Sequence, residues 1–589
     1  LYSNDLIEQY KKQNGVSSDL YPNTDWQKET LTKSGFQQSH FLNISGGNDR
    51  LKTFTSLGYF TQDGLIENSS FNRLNMRNNM DWTLSSKVKA KVDLQFTSTK
   101  RTNPASGANN IFMWMNGIPA NQIGINSDGS WGTGWNGLNP ISHAKESGEF
   151  VTRTNWGSIN ASLLYSPVSW LTAEVNVAPK FTLESKDNLT KPIQSYLPDG
   201  TPSFVNPTKS SLTNPDTKTL HNNIRATLTA DKNFGNHNIK ILAGASQEER
   251  HSRNHTAYRD SVNVDYPVLG TGSAANQTVG GGADKWVLRS FFARANYNYK
   301  QRYLFEFNVR HDGSSRFAKG NKWATFPSVS LGWNLTNEKF MENRPNWLTN
   351  TKLRLSWGKN GNEEIEDFRY AAFVQTNANY VFGGGANQTI IAGNRPTTTP
   401  NPNLKWDESE QYNAGIDFGF LRNSLTMSVD YFVKKTNGML KYMSIPSYLG
   451  APLPWGNVGD MENSGVEVDL GYKFEVGDFS FRTSANISYL KNKLIDLGNA
   501  DGFEMSDHVH IIGNVSRAEN GQPYPYFYGY QTAGIFQNQA QNDAYVNSKG
   551  EKLQPDAVPG DVIFVDYDGN GAIGESDKTK IGKGTPEWT

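Results

Sequence analysis

The stretch FVDYDGNGAIGESDK, Phe564 to Lys578, sets Asp566, Asp568 and Asn570 at alternate positions, follows with Gly571 and reaches a further carboxylate at Asp577. Calcium takes about six to eight oxygen ligands, and an EF-hand-type loop supplies them from positions 1, 3, 5, 7 and 12, with glycine at 6 for the sharp turn. In that frame the metal ligands would be Asp566, Asp568, Asn570, the main-chain carbonyl of Ala572 and Asp577, with Gly571 at the turn and Ile573 at the apolar position. Aspartate at the last position reaches less far than glutamate and weakens bidentate ligation. The flanks depart from a helix–loop–helix sensor, because DVIFV before the loop alternates as a strand and no amphipathic helix follows. Tight turns favour the same residues without any ion, so a calcium site and an ion-free turn both stay open.

A second stretch offers recognition chemistry. NIFMWMNGIPANQIGINSDGSWGTGWNGLNP, Asn110 to Pro140, places Trp114, Trp131 and Trp135 among Asn, Asp and Ser side chains. Flat apolar rings stack on sugar faces while neighbouring polar groups bond the hydroxyls. These tryptophans are the candidate substrate-binding residues, set against the alternative that they pack the segment onto its neighbours. Catalytic patterns are weak. His251 and His255 stand four apart with no Glu between them, at a strand end where that spacing does not converge on one metal. His508 and His510 read as surface histidines. Neither a G-x-S-x-G elbow nor a G-x-x-x-x-G-K-[ST] phosphate loop occurs, and the pair Glu363 and Glu364 is too common a feature to imply glycosidase chemistry. No enzyme is expected, and no cofactor is required beyond the calcium option.

The elements that must position these residues alternate with period two. Val88, Ala90, Val92, Leu94 and Phe96 interleave with Lys87, Lys89, Lys91, Asp93, Gln95 and Thr97, so one face is apolar and the other charged. The pattern returns at Leu171–Val177, Ile224–Ala230, Ile239–Ala245, Phe291–Tyr299, Tyr303–Val309, Tyr412–Phe420 and Leu425–Val433. About sixteen strands of roughly 9–14 residues are predicted, longer than the usual mode of ~5–6. Their connections sort by parity. Short turns near 85, 167, 235, 300, 423 and 477 alternate with long Gly/Asn/Ser/Pro-rich links, and only the 337–350 link is of intermediate length where a short one is due.

No run approaches the ~18 apolar residues of a membrane helix, and the mean hydropathy is −0.63. With 57 basic and 57 acidic residues there is no global pull toward nucleic acid. Long strands with all long loops at one end favour a transmembrane barrel, whose strands close to pair every backbone N–H in lipid and whose short turns face the periplasm, over a soluble sandwich, and a non-transport surface glycan-binding β-protein stays open as the alternative. Low hydropathy follows from a wet lumen. Trp82, Trp170, Tyr299, Tyr303 and Trp333 sit at predicted strand ends as candidates for the interfacial aromatic girdle.

HFLNISGGNDRLKTFTSLGYFTQDGLI (His40–Ile66) resembles the first barrel hairpin of SusC/RagA-like TonB-dependent outer-membrane transporters. RHDGSSRFAKGNKWATFPSVSLGWNLTNEKFM (Arg310–Met341), LRLSWGKNGNEEI (Leu353–Ile365), NPNLKWDESEQYNAGIDFGFL (Asn401–Leu421) and VGDMENSGVEVDLGY (Val458–Tyr472) are similar to later blocks of that family, in its order. The resemblance implies an all-β, antiparallel transmembrane barrel of which these strands are about sixteen of 22, with signal peptide, plug and last strands outside the chain. It implies active import of a nutrient, an oligosaccharide or else a peptide. The implied partners are a SusD-like surface lipoprotein, the TonB complex and outer-membrane lipid, in the Gram-negative outer membrane. On this reading residues 1–40 lead into the barrel, 41–490 form its strands and loops, 491–587 form one long extracellular loop carrying the Asp-rich turn, and 588–589 begin the next strand.

Overall fold

The computed structural model describes residues 3–376, 378–385, 388–446, 448, 450, 452–506, 509 and 513–589. Among them a single large sheet of 17 strands forms. The strands are β1 (Gln37–Gly47), β2 (Leu51–Asp63), β3 (Ser70–Thr83), β4 (Val88–Pro104), β5 (Gly148–Val168), β6 (Leu171–Val177), β7 (Lys180–Thr190), β8 (Ser211–Phe234), β9 (His237–Asp260), β10 (Thr278–Tyr299), β11 (Tyr303–Ser314), β12 (Trp323–Asn334), β13 (Leu348–Asn362), β14 (Asp407–Phe420), β15 (Leu425–Asn437), β16 (Asp460–Val476) and β17 (Phe479–Asp496). None of the described helices is long and apolar enough to cross a membrane. The chain divides into two compact units, Leu1–Leu228 with Ser246–Val287, and Thr229–Ala245 with Leu288–Thr589.

In the first unit β1 to β5 form an antiparallel meander, and β5 then pairs with both β6 and β7. β6 and β7 are two halves of one passage, interrupted at Ala178 and Pro179, where Ile159 N–H bonds the Pro179 carbonyl at 3.1 Å. Proline cannot donate to a ladder, so the strand breaks and resumes there. Counted this way the 17 described strands make the sixteen passages expected.

Register turns the alternation into faces. One row runs Leu42, Leu57, Met76, Phe96, Gly157, Phe181 and Leu220 across β1, β2, β3, β4, β5, β7 and β8, each paired with the next. Every large residue of that row is exposed. The neighbouring row on the other face reads Asn43, Ser56, Arg77, Gln95, Ser158, Lys180 and His221. A period of two places these sets on opposite sides of one sheet.

The second unit repeats the rule through β10 to β17. Tyr297, Phe305, Leu331, Leu355, Ala414, Tyr431, Val466 and Tyr489 share one row, and Asn298, Leu304, Gly332, Arg354, Gly415, Asp430, Glu467 and Ser488 share one on the other face. Beyond β17, Tyr489 bridges to Trp588.

Strand length departs from expectation. β8 and β9 each run 24 residues, against the predicted maximum of about 14. Their apolar alternation covers only Ile224–Ala230 and Ile239–Ala245, and the remainder, such as QEERHSRNHTAYR in β9, is polar. Two strands joined by a tight turn keep pairing beyond the apolar stretch because their backbone groups still require partners.

The long links carry their own small cores. In the first unit α2 (Trp26–Thr30; α1 is Asn4–Lys12) meets α3 (Ala108–Gly117) and α4 (Pro140–Glu146). Trp26, Met115 and Ile141 form one cluster, and Ile66, Ile111 and Ala144 another. In the second unit Phe317, Phe326, Ile365, Leu404 and Trp406 pack beneath the long links.

Candidate functional sites

The Asp-rich turn lies between the short strand Val562–Phe564 and the strand Lys578–Lys583, with a 3-10 turn at Glu575–Asp577. Carboxylate oxygens of Asp566, Asp568 and Asp577 lie within 4.8 Å of one another. Asp577 is fully buried. Its carboxylate accepts the main-chain N–H of Tyr567 and Gly574, both at 2.7 Å, which fixes it beneath the turn. Asp566 accepts from the N–H of Asn570 at 3.1 Å and of Gly571 at 2.8 Å. Gly571 has φ +88°, a left-handed conformation that glycine takes without strain. Hydrogen bonds from the Ser576 side chain and the Asn570 main chain hold the Asp568 carboxyl below its ordinary range, so it is ionised and available to a cation. The Asn570 side-chain oxygen accepts the Ala572 N–H at 2.9 Å. Of the five predicted ligand residues, three thus converge as carboxylates, and Asn570 and Ala572 close the turn beside them. Three hard oxygen donors around a glycine turn suit calcium.

The tryptophan-bearing link divides by role. Trp114 is half-buried against the Ile66, Ile111 and Ala144 cluster and sits edge-on to His143 at 5.0 Å. Trp131 packs on Trp26, Met115 and Ile141, and its carbonyl accepts the Tyr196 N–H at 2.8 Å. Trp135 alone of the three is exposed, at 49%, beside exposed Asn136 in a turn where Gly134 and Gly137 take positive φ. Two rings pack within the loop and one is exposed. The loop is bolted by Asn139, 1% exposed. Its side-chain oxygen caps α4 by accepting from Ile141 N–H at 3.0 Å, and its amide donates to the carbonyls of Gly124 at 2.6 Å and Gly132 at 3.0 Å. Asn followed by Pro is a strong helix start.

His143 on α4 links this loop to pH. One ring nitrogen, Nε2, lies 3.3 Å from the Gly137 carbonyl, and Nδ1 lies 2.6 Å from Ser106 Oγ. A carbonyl only accepts, so the neutral ring donates from Nε2 and accepts the Ser106 hydroxyl at Nδ1. Burial pushes the His143 pKa below its ordinary 6.5. A depressed folded-state pKa gives stability that is full above the unfolded value of about 6.5 and lost as pH falls through the folded value. Hydrogen exchange over residues 104–148, corrected for intrinsic rate, is expected to rise below pH ~6.5 and to lose that pH dependence in His143→Gln.

Other predicted residues stay apart from these sites. His251 and His255 both lie on β9, where His255 pairs with Asp216 at 3.2 Å. His508 and His510 lie outside the described residues. Of the girdle candidates in the second unit, Tyr299 stacks on Tyr303 at 6.3 Å and Tyr303 on Trp333 at 6.4 Å. Trp82 lies near the end of β3 and Trp170 in the turn between β5 and β6.

Sequence reasoning missed a charge cluster on the polar face of the second unit. The Arg354 guanidinium donates to Asp417 through Nε at 2.9 Å and Nη2 at 2.8 Å, and to Asp430 through Nη1 and Nη2, both at 2.8 Å. Gly415 makes room for it, since a Cβ there would lie 2.8 Å from Arg354 Cζ. The three charges come from three strands and carry no spacing signature.

Residues 3–545 match the family described as TonB dependent receptor-like, beta-barrel. The chain belongs to that family. Among curated proteins it is 30% identical to TonB-dependent receptor P3 of Formosa agariphila over 96% of this chain and 56% of that protein. It is 28% identical to TonB-dependent receptor SusC of Bacteroides thetaiotaomicron over 94% of this chain and 55% of that one. The chain thus spans little more than half the length of the curated relatives it matches. In structure it resembles the RagAB peptide importer in its closed-closed state, with a TM-score of 0.78 at 22% identity over 99% of this chain and 63% of that one. This TonB-dependent receptor-like chain is therefore SusC/RagA-like and belongs to the outer membrane. Its exposed apolar rows face lipid and its polar rows face the lumen.

Proposed function

We propose that the whole protein imports a nutrient across the outer membrane, driven through TonB, and that a SusD-like surface lipoprotein captures the ligand at the long-loop end. The observation that carries this reading is the family match over residues 3–545, together with long links concentrated at one end of the strands in each unit. Substrate class is proposed as an oligosaccharide, supported by exposed Trp135 beside Asn136, an apolar face next to polar groups as sugar recognition uses. Peptide import is the second reading, favoured by the fold shared with the RagAB peptide importer. In a strain carrying this transporter alone, uptake of fluorescent oligosaccharides competed by unlabelled sugars but not by peptide mixtures supports the first. Competition by peptides alone transfers the assignment to the second.

The Asp-rich turn is proposed to bind calcium as a structural brace, with Asp566, Asp568 and Asp577 as its carboxylate ligands and Asn570 and Ala572 completing the turn. Isothermal titration of the intact transporter with calcium is expected to give a binding heat that disappears in the double variant Asp566→Ala, Asp568→Ala. Equal heats in the two proteins would leave an ion-free turn.

A further inference from the structure

Among the described residues the link between β12 and β13, residues 335–347, is the one connection of intermediate length at the short-turn edge, and beside exposed polar residues such as Lys339 and Glu342 it exposes two large apolar side chains, Phe340 and Trp347. Two 3-10 turns, Leu335–Asn337 and Lys339–Met341, fold it. Phe340 is 67% exposed and Trp347 53%, and Leu421 in the adjoining turn is 53% exposed. These side chains continue an existing surface. Phe340 sits edge-on to Trp333 at 6.4 Å, Trp333 stacks on Tyr303, and Trp347 stacks on Phe420 at 5.8 Å. Trp333 and Tyr303 belong to the lipid-facing side of β12 and β11, so the patch is continuous with the membrane face.

The link is also held in place and carries the charge an anionic leaflet attracts. Arg344 Nε donates to the Leu348 carbonyl at 3.0 Å, the Leu421 N–H bonds the Trp347 carbonyl at 2.8 Å, and Glu338 accepts from Trp333 Nε1 at 3.0 Å. Across 300–302, 335–347 and 421–424, the basic residues Lys300, Arg302, Lys339, Arg344 and Arg422 face two acids, Glu338 and Glu342, a net of +3. Aromatic rings favour the headgroup boundary, and lysine and arginine reach from there to phosphates.

We propose that residues 335–347 form an anchor in which Phe340 and Trp347 insert at the headgroup boundary of the periplasmic leaflet, with Lys339 and Arg422 directed at phospholipid phosphates. The link is longer than a turn requires because it must reach back onto the lipid. This inference rests on the barrel spanning the membrane with its short turns toward the periplasm.

The chain has no cysteine, which allows single labels within it. In the intact transporter in nanodiscs of phosphatidylethanolamine and phosphatidylglycerol, an environment-sensitive fluorophore is placed at Phe340→Cys, Trp347→Cys, Leu355→Cys on the lipid face, and Glu342→Cys in the exposed part of the link. Bromine-labelled lipid is expected to quench the labels at 340, 347 and 355 and to spare 342, which aqueous iodide quenches instead. Quenching at 355 but not at 340 and 347 overturns the anchor while keeping the barrel. Labels at 340 and 347 shielded from both quenchers would mean that protein covers the patch, which also overturns it. No lipid quenching at 355 would refute the barrel reading beneath it.

Discussion

Leu94→Arg is expected to destabilise the folded, membrane-inserted protein by about 2–4 kcal/mol, the range for a cationic side chain on the lipid face near the bilayer midplane. Leu94 and its partner Ile159 are exposed on the same face as Phe96, on a strand whose apolar positions span Val88 to Phe96. The adjacent residue, Gln95, points to the lumen opposite Arg77 and Ser158. Gln95→Glu places a charge one residue away but in water and beside a cation, and is expected to cost less than ~1 kcal/mol. Urea unfolding of the intact transporter from lipid vesicles measures both. Equal losses for the two would mean that the faces are not lipid and lumen.

Removal of the Arg354 side chain is the second large effect. Arg354→Ala leaves Asp417 and Asp430 facing each other on the luminal wall with no cation between them. Breaking a fully buried pair costs about 3–5 kcal/mol. Here the side chains keep 31%, 30% and 15% exposure for Arg354, Asp417 and Asp430, and solvent screening lowers the expected loss to about 2 kcal/mol. Arg354→Lys is expected to recover little, because an ammonium cannot bond two carboxylates as a planar fork does. The same unfolding measurement checks it, with Asp417→Asn, Asp430→Asn added to Arg354→Ala. Restored stability in the triple variant is the signature of relieved like-charge repulsion.

How much of this was legible in the sequence follows from how local each interaction is. The run from Val88 to Phe96 displays its two faces because a strand alternates whatever its neighbours do, and the parity of turns and links gave the orientation. Residues around Ala178 and Pro179 hid that this one passage is broken into two strands, since the break shows only in pairing to β5. The outer lengths of β8 and β9 were illegible because polar paired strands look like loop. Within the candidate sites, the spacing from Asp566 to Asp577 foretold the convergence of three carboxylates because a single short loop makes it. The roles of the tryptophans were not legible. Trp131 is half-buried against Trp26 and Ile141, and nothing in the Asn110–Pro140 stretch reveals that the N-terminal α2 returns to cover it. Arg354 meets partners 63 and 76 residues away, a distance only the register can close.

Energised import is the central claim, and the most direct test is uptake of a labelled oligosaccharide mixture by cells with and without the intact transporter, before and after a protonophore collapses the inner-membrane gradient. Accumulation that requires the transporter, ceases with the gradient and ceases equally when TonB is deleted is the predicted result. Uptake that requires the transporter yet persists undiminished without gradient or TonB would make the protein a passive pore and contradict the account.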